Sequence, residues 1–150
     1  MAGPAEALVV DASVAVKWYL ADEDYTQEAL VLLERFADGQ LALFAPEQIR
    51  YEIPSAIAVA THLAQPRLSV ALGRLAIEKF LASGITIISD DSLIYAAYDL
   101  AHQHGCAFYD GLYLALAERL RLPLIVADRR LHQRLGQRSD VIWLGDFPVR

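Results

Sequence analysis

The sequence contains a single cysteine, Cys106, among its 150 residues. One thiol cannot build a disulfide framework, so the small disulfide-rich secreted folds are excluded and a reducing cytoplasm is the expected location. The first six residues lack the positive charge and the long apolar segment of a secretory signal, so we expect no leader. No uninterrupted apolar run approaches the roughly 18 residues that span a bilayer, so we expect no membrane insertion.

Basic charge is also scarce, because 13 Lys and Arg residues stand against 19 Asp and Glu residues and leave a formal net charge of −6. Proteins that coat phosphates present a broad basic face, and this composition does not favour one. The basic residues are unevenly distributed, however. Six of the 13 lie between positions 119 and 138, namely Arg119, Arg121, Arg129, Arg130, Arg134 and Arg138. This cluster is either a solvated helix face or a rim that contacts phosphates.

Several common motifs are absent as well. The chain has no Walker P-loop, no G-x-G-x-x-G turn and no G-x-S-x-G nucleophile elbow. Its four histidines and one cysteine lack zinc-type spacing. A phosphoaspartate phosphatase would carry a second Asp two residues after Asp11, where this chain has Ser13. A receiver-type regulatory domain would need paired acids after the first strand and a late lysine, yet the last lysine is Lys79.

Apolar residues, in contrast, make up 55% of the chain. Short apolar runs alternate with amphipathic helical patterns, often with two helices between successive runs. This order predicts a single domain over residues 1–150, of the α/β class, with a mostly parallel central sheet covered by helices on both faces, which makes three layers. The surplus apolar surface is expected to fill a core and a dimer interface. The predicted strands are residues 8–10, 41–45, 85–88, 123–127 and 141–144.

Cap residues define the predicted helices. Ser13 is expected to cap a short helix over residues 14–20, and Thr26 a second helix that ends near residue 37. Pro46 suits the first turn of the next helix. The residues that this helix should bury are Ile49, Ile53, Ile57, Ala60 and Leu63. The apolar segment 112–117 predicts a later, largely buried helix.

Four acids occur where a parallel sheet would bring them together. Asp11 and Asp128 each end an apolar run, and the carboxyl ends of parallel strands form the edge at which ligands bind. Glu52 flanks the apolar stripe of its helix, and Asp110 lies near the start of the buried helix. Taken singly, each acid could instead be a helix cap or a solvated surface residue.

Buried carboxylates without matching cations repel one another, so they either hold protons or bind a metal ion. Ligands that are all oxygen favour Mg²⁺ or Mn²⁺. Such an ion can activate water and stabilise charge on a phosphate during in-line displacement. The four acids therefore predict phosphodiester hydrolysis.

Four segments of the sequence resemble the PIN-domain nucleases, and specifically the VapC-type toxins of toxin-antitoxin systems. These segments are Val9–Tyr19, Tyr51–Glu52, Tyr109–Glu118 and Ala127–Leu131. The resemblance covers essentially the whole chain. It implies a PIN-like, Rossmann-like three-layer α/β/α fold, a homodimer, Mg²⁺- or Mn²⁺-dependent endoribonuclease activity on RNA, and an antitoxin partner that occupies the acidic site, commonly with an arginine.

Matching positions make Asp11, Glu52, Asp110 and Asp128 the catalytic, metal-binding acids, and Ser13 a supporting hydroxyl. Two positions depart from the family pattern. Ser55 stands where an Asn is frequent, three residues after the Glu, and Val126 stands where Thr or Ser is frequent. We expect weaker polar support around the metal at these two positions, with Ser55 as a substitute donor, and hence a lower rate and metal affinity rather than lost activity.

The leading hypothesis is therefore a metal-dependent endoribonuclease toxin, with Arg129, Arg130 and Arg134 as candidate RNA contacts. The alternative is a catalytically silent PIN-fold module that binds RNA or protein. Loss of one of the four acids would favour this alternative, and all four are present.

Overall fold

The computed structural model describes residues 6–149. Residues 1–5, on which most of the prediction about a secretory leader rests, lie outside the described residues, as does Arg150. Five strands of the described chain form one sheet in which every neighbouring pair is parallel. These strands are β1 (Glu6–Val10), β2 (Leu41–Pro46), β3 (Thr86–Ile88), β4 (Leu124–Val126) and β5 (Val141–Trp143).

Helices cover both faces of this sheet and connect its strands. They are α1 (Ala12–Ala15), α2 (Thr26–Ala37), α3 (Ile49–His62), α4 (Val70–Leu81), α5 (Asp91–His104), α6 (Phe108–Leu120) and α7 (Arg129–Leu135), with 3-10 turns at Val16–Trp18 and Leu144–Asp146. Two helices lie between β2 and β3, and two more between β3 and β4. The predicted three-layer α/β/α architecture is therefore confirmed. Across residues 6–149, no helix combines the length and apolar character needed to cross a membrane.

The core is centred on β1, which lies between β2 and β4. Val9 and Val10 are fully buried, and Val9 is in register with Phe44 on β2 and Leu124 on β4. The helix α6 packs against this strand with its residues 113–117 at most 3% exposed. Both the doubly covered first strand and the buried helix were predicted from their apolar runs, and both are confirmed.

The order of the strands, β3-β2-β1-β4-β5, reverses between β1 and β4. The chain builds one half of the sheet outward from β1 and then returns to build the other half from β4. In open α/β sheets, ligands bind in the crevice at such a reversal, outside the carboxyl ends of the strands. Asp11 directly follows β1 and Asp128 lies two residues beyond β4, so both acids reach this crevice.

Two of the predicted helix starts are wrong in detail. Asp11, not Ser13, caps α1, because the Asp11 carboxylate accepts the backbone N–H of Ser13 at 3.1 Å. The predicted single helix over 14–20 is instead the short α1 followed by a 3-10 turn. Thr26 opens α2 as its first residue, and the cap position is Tyr25, which adopts the left-handed conformation with φ 59°.

The prediction for α3 also needs two corrections. Pro46 ends β2, in register with Ile88 of β3, and α3 begins only at Ile49. The helix stops at His62, so Leu63 falls outside the buried stripe and is 43% exposed. The other four apolar positions of the stripe are buried as predicted.

Candidate active site

Asp11 is the most buried of the four candidate acids, with only 5% of its surface exposed. Its Oδ2 accepts hydrogen bonds from the backbone N–H and the hydroxyl of Ser13. The Ser13 Oγ in turn accepts the backbone N–H of Ala127 at 2.9 Å. Ser13 thus joins the end of β1 to the segment that follows β4 and fixes Asp11 at the crevice.

Burial raises the pKa of Asp11 from 3.8 to about 7. The hydrogen bonds from Ser13 lower this pKa, while the nearby negative charges of Asp110 and Glu52 raise it. The charged groups that act on Asp11 are therefore carboxylates. A buried carboxylate in such surroundings gains strongly from a cation.

Glu52 lies in the first turn of α3 and is half-buried. The hydroxyl of Tyr113, on α6, donates a hydrogen bond to Glu52 Oε1 at 2.8 Å. Burial raises the pKa of Glu52, the Tyr113 bond lowers it, and the charge of Asp110 raises it. Asp11 and Glu52, here called the inner pair, are thus each held by a hydroxyl from a neighbouring residue or helix.

Asp110 and Asp128, here called the outer pair, lie closer to solvent. Asp110 is in the first turn of α6, and burial together with the charge of Asp128 raises its pKa, while Arg134 lowers it. Asp128 is exposed and caps α7 by accepting the Leu131 N–H at 3.0 Å. A cavity of about 210 Å³ is lined by both acids and by Arg130 and Arg134.

The four acids influence one another electrostatically in a chain from Glu52 and Asp11 through Asp110 to Asp128. They do not form a closed coordination shell as their side chains stand. In the described part of the chain, no group of three or more His, Cys, Asp or Glu side chains is close enough together to hold a metal ion. The donor set nonetheless fits a hard divalent cation, because it is all oxygen and the inner pair has no basic partner among the groups that act on it.

The structure divides the arginine cluster into three groups. Arg119 and Arg138 form ion pairs with protein acids, Arg119 with Asp90 and Arg138 with Glu118 and Asp140. The guanidinium groups of these two arginines are therefore engaged by acids of the protein itself. Arg121 is exposed at the carboxyl end of α6, in the left-handed conformation with φ 54°.

The three arginines predicted from the sequence to contact RNA differ in their surroundings. Arg129 packs its guanidinium over the ring of Trp143, 5.6 Å from the centroid. Arg130 and Arg134 are exposed and line the cavity beside the outer pair, where Arg134 also donates to the carbonyl of Gly105. Only these two of the three arginines are among the residues that line this cavity.

Ser55 and Val126 are the two positions that depart from the family pattern. Ser55 is exposed on α3, and within residues 6–149 no hydrogen bond joins it to the four acids. Val126 is fully buried in β4 and offers no polar group. Ser13 is the hydroxyl that the structure places against Asp11.

Sequence reasoning gave no role to Gly111, which lies between Asp110 and the apolar segment of α6. A Cβ atom at this position would lie 2.4 Å from the carbonyl oxygen of Ala97 on α5. The missing side chain therefore lets α6 approach α5 closely, and α6 carries both Asp110 and Tyr113. The only sign of this close contact in the sequence was a glycine next to the apolar segment of the helix.

Tyr113 was also missed as part of the site. Its position in the apolar run of α6 indicated a core aromatic, and it is indeed 1% exposed. Its hydroxyl, however, meets Glu52 on a helix that is 61 residues away in the sequence. Local periodicity cannot reveal such a contact.

Comparisons with known proteins agree with this geometry. The family model of the PIN domain matches residues 8–136. Two proteins named Ribonuclease VapC12, from the CDC 1551/Oshkosh and H37Rv strains of Mycobacterium tuberculosis, are each 31% identical to this chain over 134 residues, which is 89% of this chain and 96% of each relative.

The crystal structure of PAE2754 from Pyrobaculum aerophilum shares the fold, with a TM-score of 0.67 and 23% identity. The match covers 93% of this chain and 92% of that chain. The resemblance that was first noted in four sequence segments is therefore confirmed over most of the chain. The chain belongs to the PIN domain family.

Proposed function

We propose that this protein is a divalent-metal-dependent endoribonuclease that hydrolyses RNA phosphodiester bonds. The observation that carries the proposal is the inner pair, in which a 5% exposed Asp11 faces further carboxylates at the strand-order reversal. The two relatives that carry the name ribonuclease support the choice of RNA as the substrate.

In this proposal, Asp11, Glu52, Asp110 and Asp128 hold Mg²⁺ or Mn²⁺. When bound, the cation lowers the pKa of water and stabilises the negative charge that develops on the phosphate. Ser13 keeps the Asp11 carboxylate oriented through its two hydrogen bonds. Burial of the inner pair keeps its charge poorly hydrated, which strengthens its attraction for a cation.

Arg130 and Arg134 would bind phosphate oxygens of the RNA beside the outer pair. They are exposed and line the same cavity as Asp110 and Asp128. Because the protein carries a net charge of −6, this attraction is local and should orient a short stretch of RNA rather than coat the surface. Arg129, which packs over Trp143, is a weaker candidate for the same role.

Cleavage of a mixed pool of structured RNA by the purified protein tests the proposal. Cuts should form in Mg²⁺ or Mn²⁺ and disappear in EDTA and in Asp11→Asn, whose side chain keeps the size of Asp11 but loses its charge. Asp38→Asn, at the carboxyl end of α2, is the matched control and should cleave normally. Retained cleavage by a folded Asp11→Asn protein would contradict the proposal.

The second candidate is a catalytically silent PIN-fold module that binds RNA or protein. The exposed Ser55 and the apolar Val126 favour it, because they remove polar groups that are frequent around the site in this family. If RNA binds with an affinity that depends on Arg130 and Arg134 but is never cut in either metal, this candidate replaces the first.

We propose further that the protein is a cytoplasmic toxin whose antitoxin covers the acid cluster with a basic side chain. An arginine placed there would supply the counter-charge that the inner pair lacks. Expression of the wild-type chain without an antitoxin should arrest bacterial growth, and Asp11→Asn should not. Equal toxicity of the two chains would contradict this role.

A homodimer is the proposed oligomeric state of the single domain over residues 1–150. Five apolar or aromatic side chains are exposed on the neighbouring helices α3, α5 and α6, at 49% to 77%. They are Tyr51, Ile94, Tyr95, Tyr98 and Tyr109. Exposed apolar surface of this kind commonly marks a protein interface. Light scattering after size exclusion should give twice the chain mass, and Tyr95→Glu should shift it to the monomer.

A further inference from the structure

Tyr113 is a buried aromatic residue whose polar end points at the acid cluster. Only 1% of its surface is exposed, and its hydroxyl donates to Glu52 Oε1 at 2.8 Å. It lies three residues after Asp110 on α6, so the two side chains emerge on the same side of the helix. The bond therefore links α6, which carries Asp110, to α3, which carries Glu52.

We propose that Tyr113 is a positioning residue that holds Glu52 in place to bind a divalent cation. This inference rests on the proposed function, since it needs the acid cluster to be a metal site. Carboxylates that bind metals are themselves commonly held by hydrogen bonds from an outer layer of residues. Tyr113 is the residue that supplies such a bond to Glu52, as Ser13 does to Asp11.

The contact geometry favours this role over a purely structural one. A buried phenol needs only some acceptor, and backbone carbonyls commonly provide it. Here the acceptor is instead a half-buried carboxylate from another helix, and Tyr113 is also within electrostatic range of Asp11. Hydrogen bonds to an ionised carboxylate are stronger than those between neutral groups, so the bond favours the charged, cation-binding form of Glu52.

The bond also leaves part of Glu52 free. Tyr113 occupies Oε1, and among residues 6–149 no hydrogen bond is made to Oε2. A carboxylate that is fixed through one oxygen can present the other to a cation without first losing side-chain freedom. The entropy cost of ordering the glutamate side chain is then met by the fold rather than by metal binding.

The test is the affinity for Mn²⁺, measured by calorimetry and by the electron paramagnetic resonance of free Mn²⁺ without RNA. Tyr113→Phe removes one oxygen atom and should weaken binding by about 10- to 100-fold. Tyr19→Phe is the matched control, because Tyr19 is also partly buried but packs against Trp18 and Phe80. This control should bind Mn²⁺ as the wild type does.

A double-variant cycle separates positioning from general damage. If Tyr113 acts through Glu52, Tyr113→Phe should change Mn²⁺ affinity by less than about twofold when Glu52→Gln is already present. A full additional loss in that background would overturn the proposal, because it would show that Tyr113 acts through some other part of the protein.

Should Tyr113→Phe fail to fold, fluorine resonance of 3-fluorotyrosine placed at position 113 replaces the affinity measurement. Its signal should shift when Mg²⁺ is added, and a label at Tyr19 should not shift. A silent label at 113 during demonstrated metal binding would overturn the proposal.

The outcomes distinguish the two proposals. If the wild type shows no Mn²⁺ binding that depends on Asp11, the proposed function and this inference both fail. If the wild type binds Mn²⁺ and folded Tyr113→Phe binds it equally well, only the inference about Tyr113 fails.

Discussion

The inner pair and the outer pair of acids occupy the same crevice but differ in their surroundings. Asp11 is buried and Glu52 is half-buried, and both carboxylates are held by hydroxyl donors and influenced by further negative charges. The outer pair borders a cavity that Arg130 and Arg134 also line. The interior therefore concentrates negative charge without a cation, while positive charge is supplied at the rim.

This difference assigns separate tasks to the two regions. A metal ion would neutralise the negative charge that the fold leaves uncompensated around the inner pair. The phosphates of the RNA backbone would pair with the positively charged arginines at the rim. Variants that change one region and leave the other intact can therefore test whether these two tasks are separate.

The largest effect is expected for RNA cleavage when Asp11 or Asp110 loses its charge. Asp11→Asn should lower the initial rate by on the order of 10³-fold or more, because a neutral amide cannot replace a carboxylate at a metal site. Asp110→Asn should also abolish cleavage without unfolding the protein. Initial rates on one RNA at saturating Mg²⁺, with circular dichroism of each variant, check this. Activity within tenfold of wild type in folded Asp11→Asn would remove the distinction between the regions.

The stability of the metal-free protein should reveal the same buried charge. The pKa of Asp11 is 3.8 in the unfolded chain and about 7 in the folded protein. Between these values the folded protein holds a proton that the unfolded chain has released. The free energy of unfolding should therefore fall as the pH rises from about 4 to about 7, by up to roughly 4 kcal/mol.

Asp11→Asn removes the free-energy cost of burying an ionised carboxylate. This variant should therefore be more stable than the wild type in EDTA at pH 8. Asp128→Asn is the control, because Asp128 is exposed and an asparagine preserves its cap on α7. Denaturant unfolding at pH 5 and pH 8 measures both variants. A wild type that gains stability between these pH values, relative to Asp11→Asn, would contradict the burial of an uncompensated carboxylate.

Gly111→Ala should displace α6, the helix that carries Asp110 of the outer pair and Tyr113, which contacts Glu52 of the inner pair. The added Cβ would meet the Ala97 carbonyl oxygen at 2.4 Å, so α6 must shift away from α5 and carry Asp110 with it. We expect a loss of about 2 kcal/mol in the free energy of unfolding and weaker Mn²⁺ binding. Gly73→Ala is the control, because its Cβ would meet only side-chain methyl groups of Ile57 and Thr61, at 3.1 Å. Equal losses for the two variants would argue against the close approach of α6 and α5.

The smallest expected effect belongs to the rim. Replacing both Arg130 and Arg134 by Ala should lower RNA affinity about 10-fold at 0.1 M salt and flatten the salt dependence by about 1.4 in log–log slope, since about two phosphate contacts are lost. Metal affinity should remain unchanged. Arg74→Ala, on the exposed face of α4, is the control. An unchanged salt dependence in the double variant would assign the phosphate contacts to other residues.

Much of the fold could be predicted because it depends on short-range patterns. The apolar runs that end at Asp11 and Asp128 identified two strands, and parallel strands necessarily share their carboxyl edge. The buried α6 followed from the unbroken apolar segment 112–117. The position of Glu52 beside the apolar stripe likewise followed from helical periodicity.

The remaining features depend on how distant elements meet. Nothing in the local pattern of α6 indicates that Tyr113 faces Glu52, because that contact requires the relative placement of two helices. The different roles of the arginines could not be predicted from the sequence for the same reason. Each role depends on which acid or aromatic ring the fold brings close to the arginine. Asp11 rather than Ser13 is the cap because α1 begins at Ala12, which places Ser13 inside the helix. There the Ser13 hydroxyl donates to Asp11 and accepts the Ala127 N–H.

The central claim is that the inner pair, together with Asp110 and Asp128, binds a divalent cation. Crystals grown with Mn²⁺ and measured at the manganese absorption edge test this claim directly. We expect an anomalous peak bounded by Asp11, Glu52, Asp110 and Asp128, and no such peak in crystals of Asp11→Asn. A peak elsewhere in the crevice, or a well-ordered inner pair without a peak at millimolar Mn²⁺, would contradict the claim.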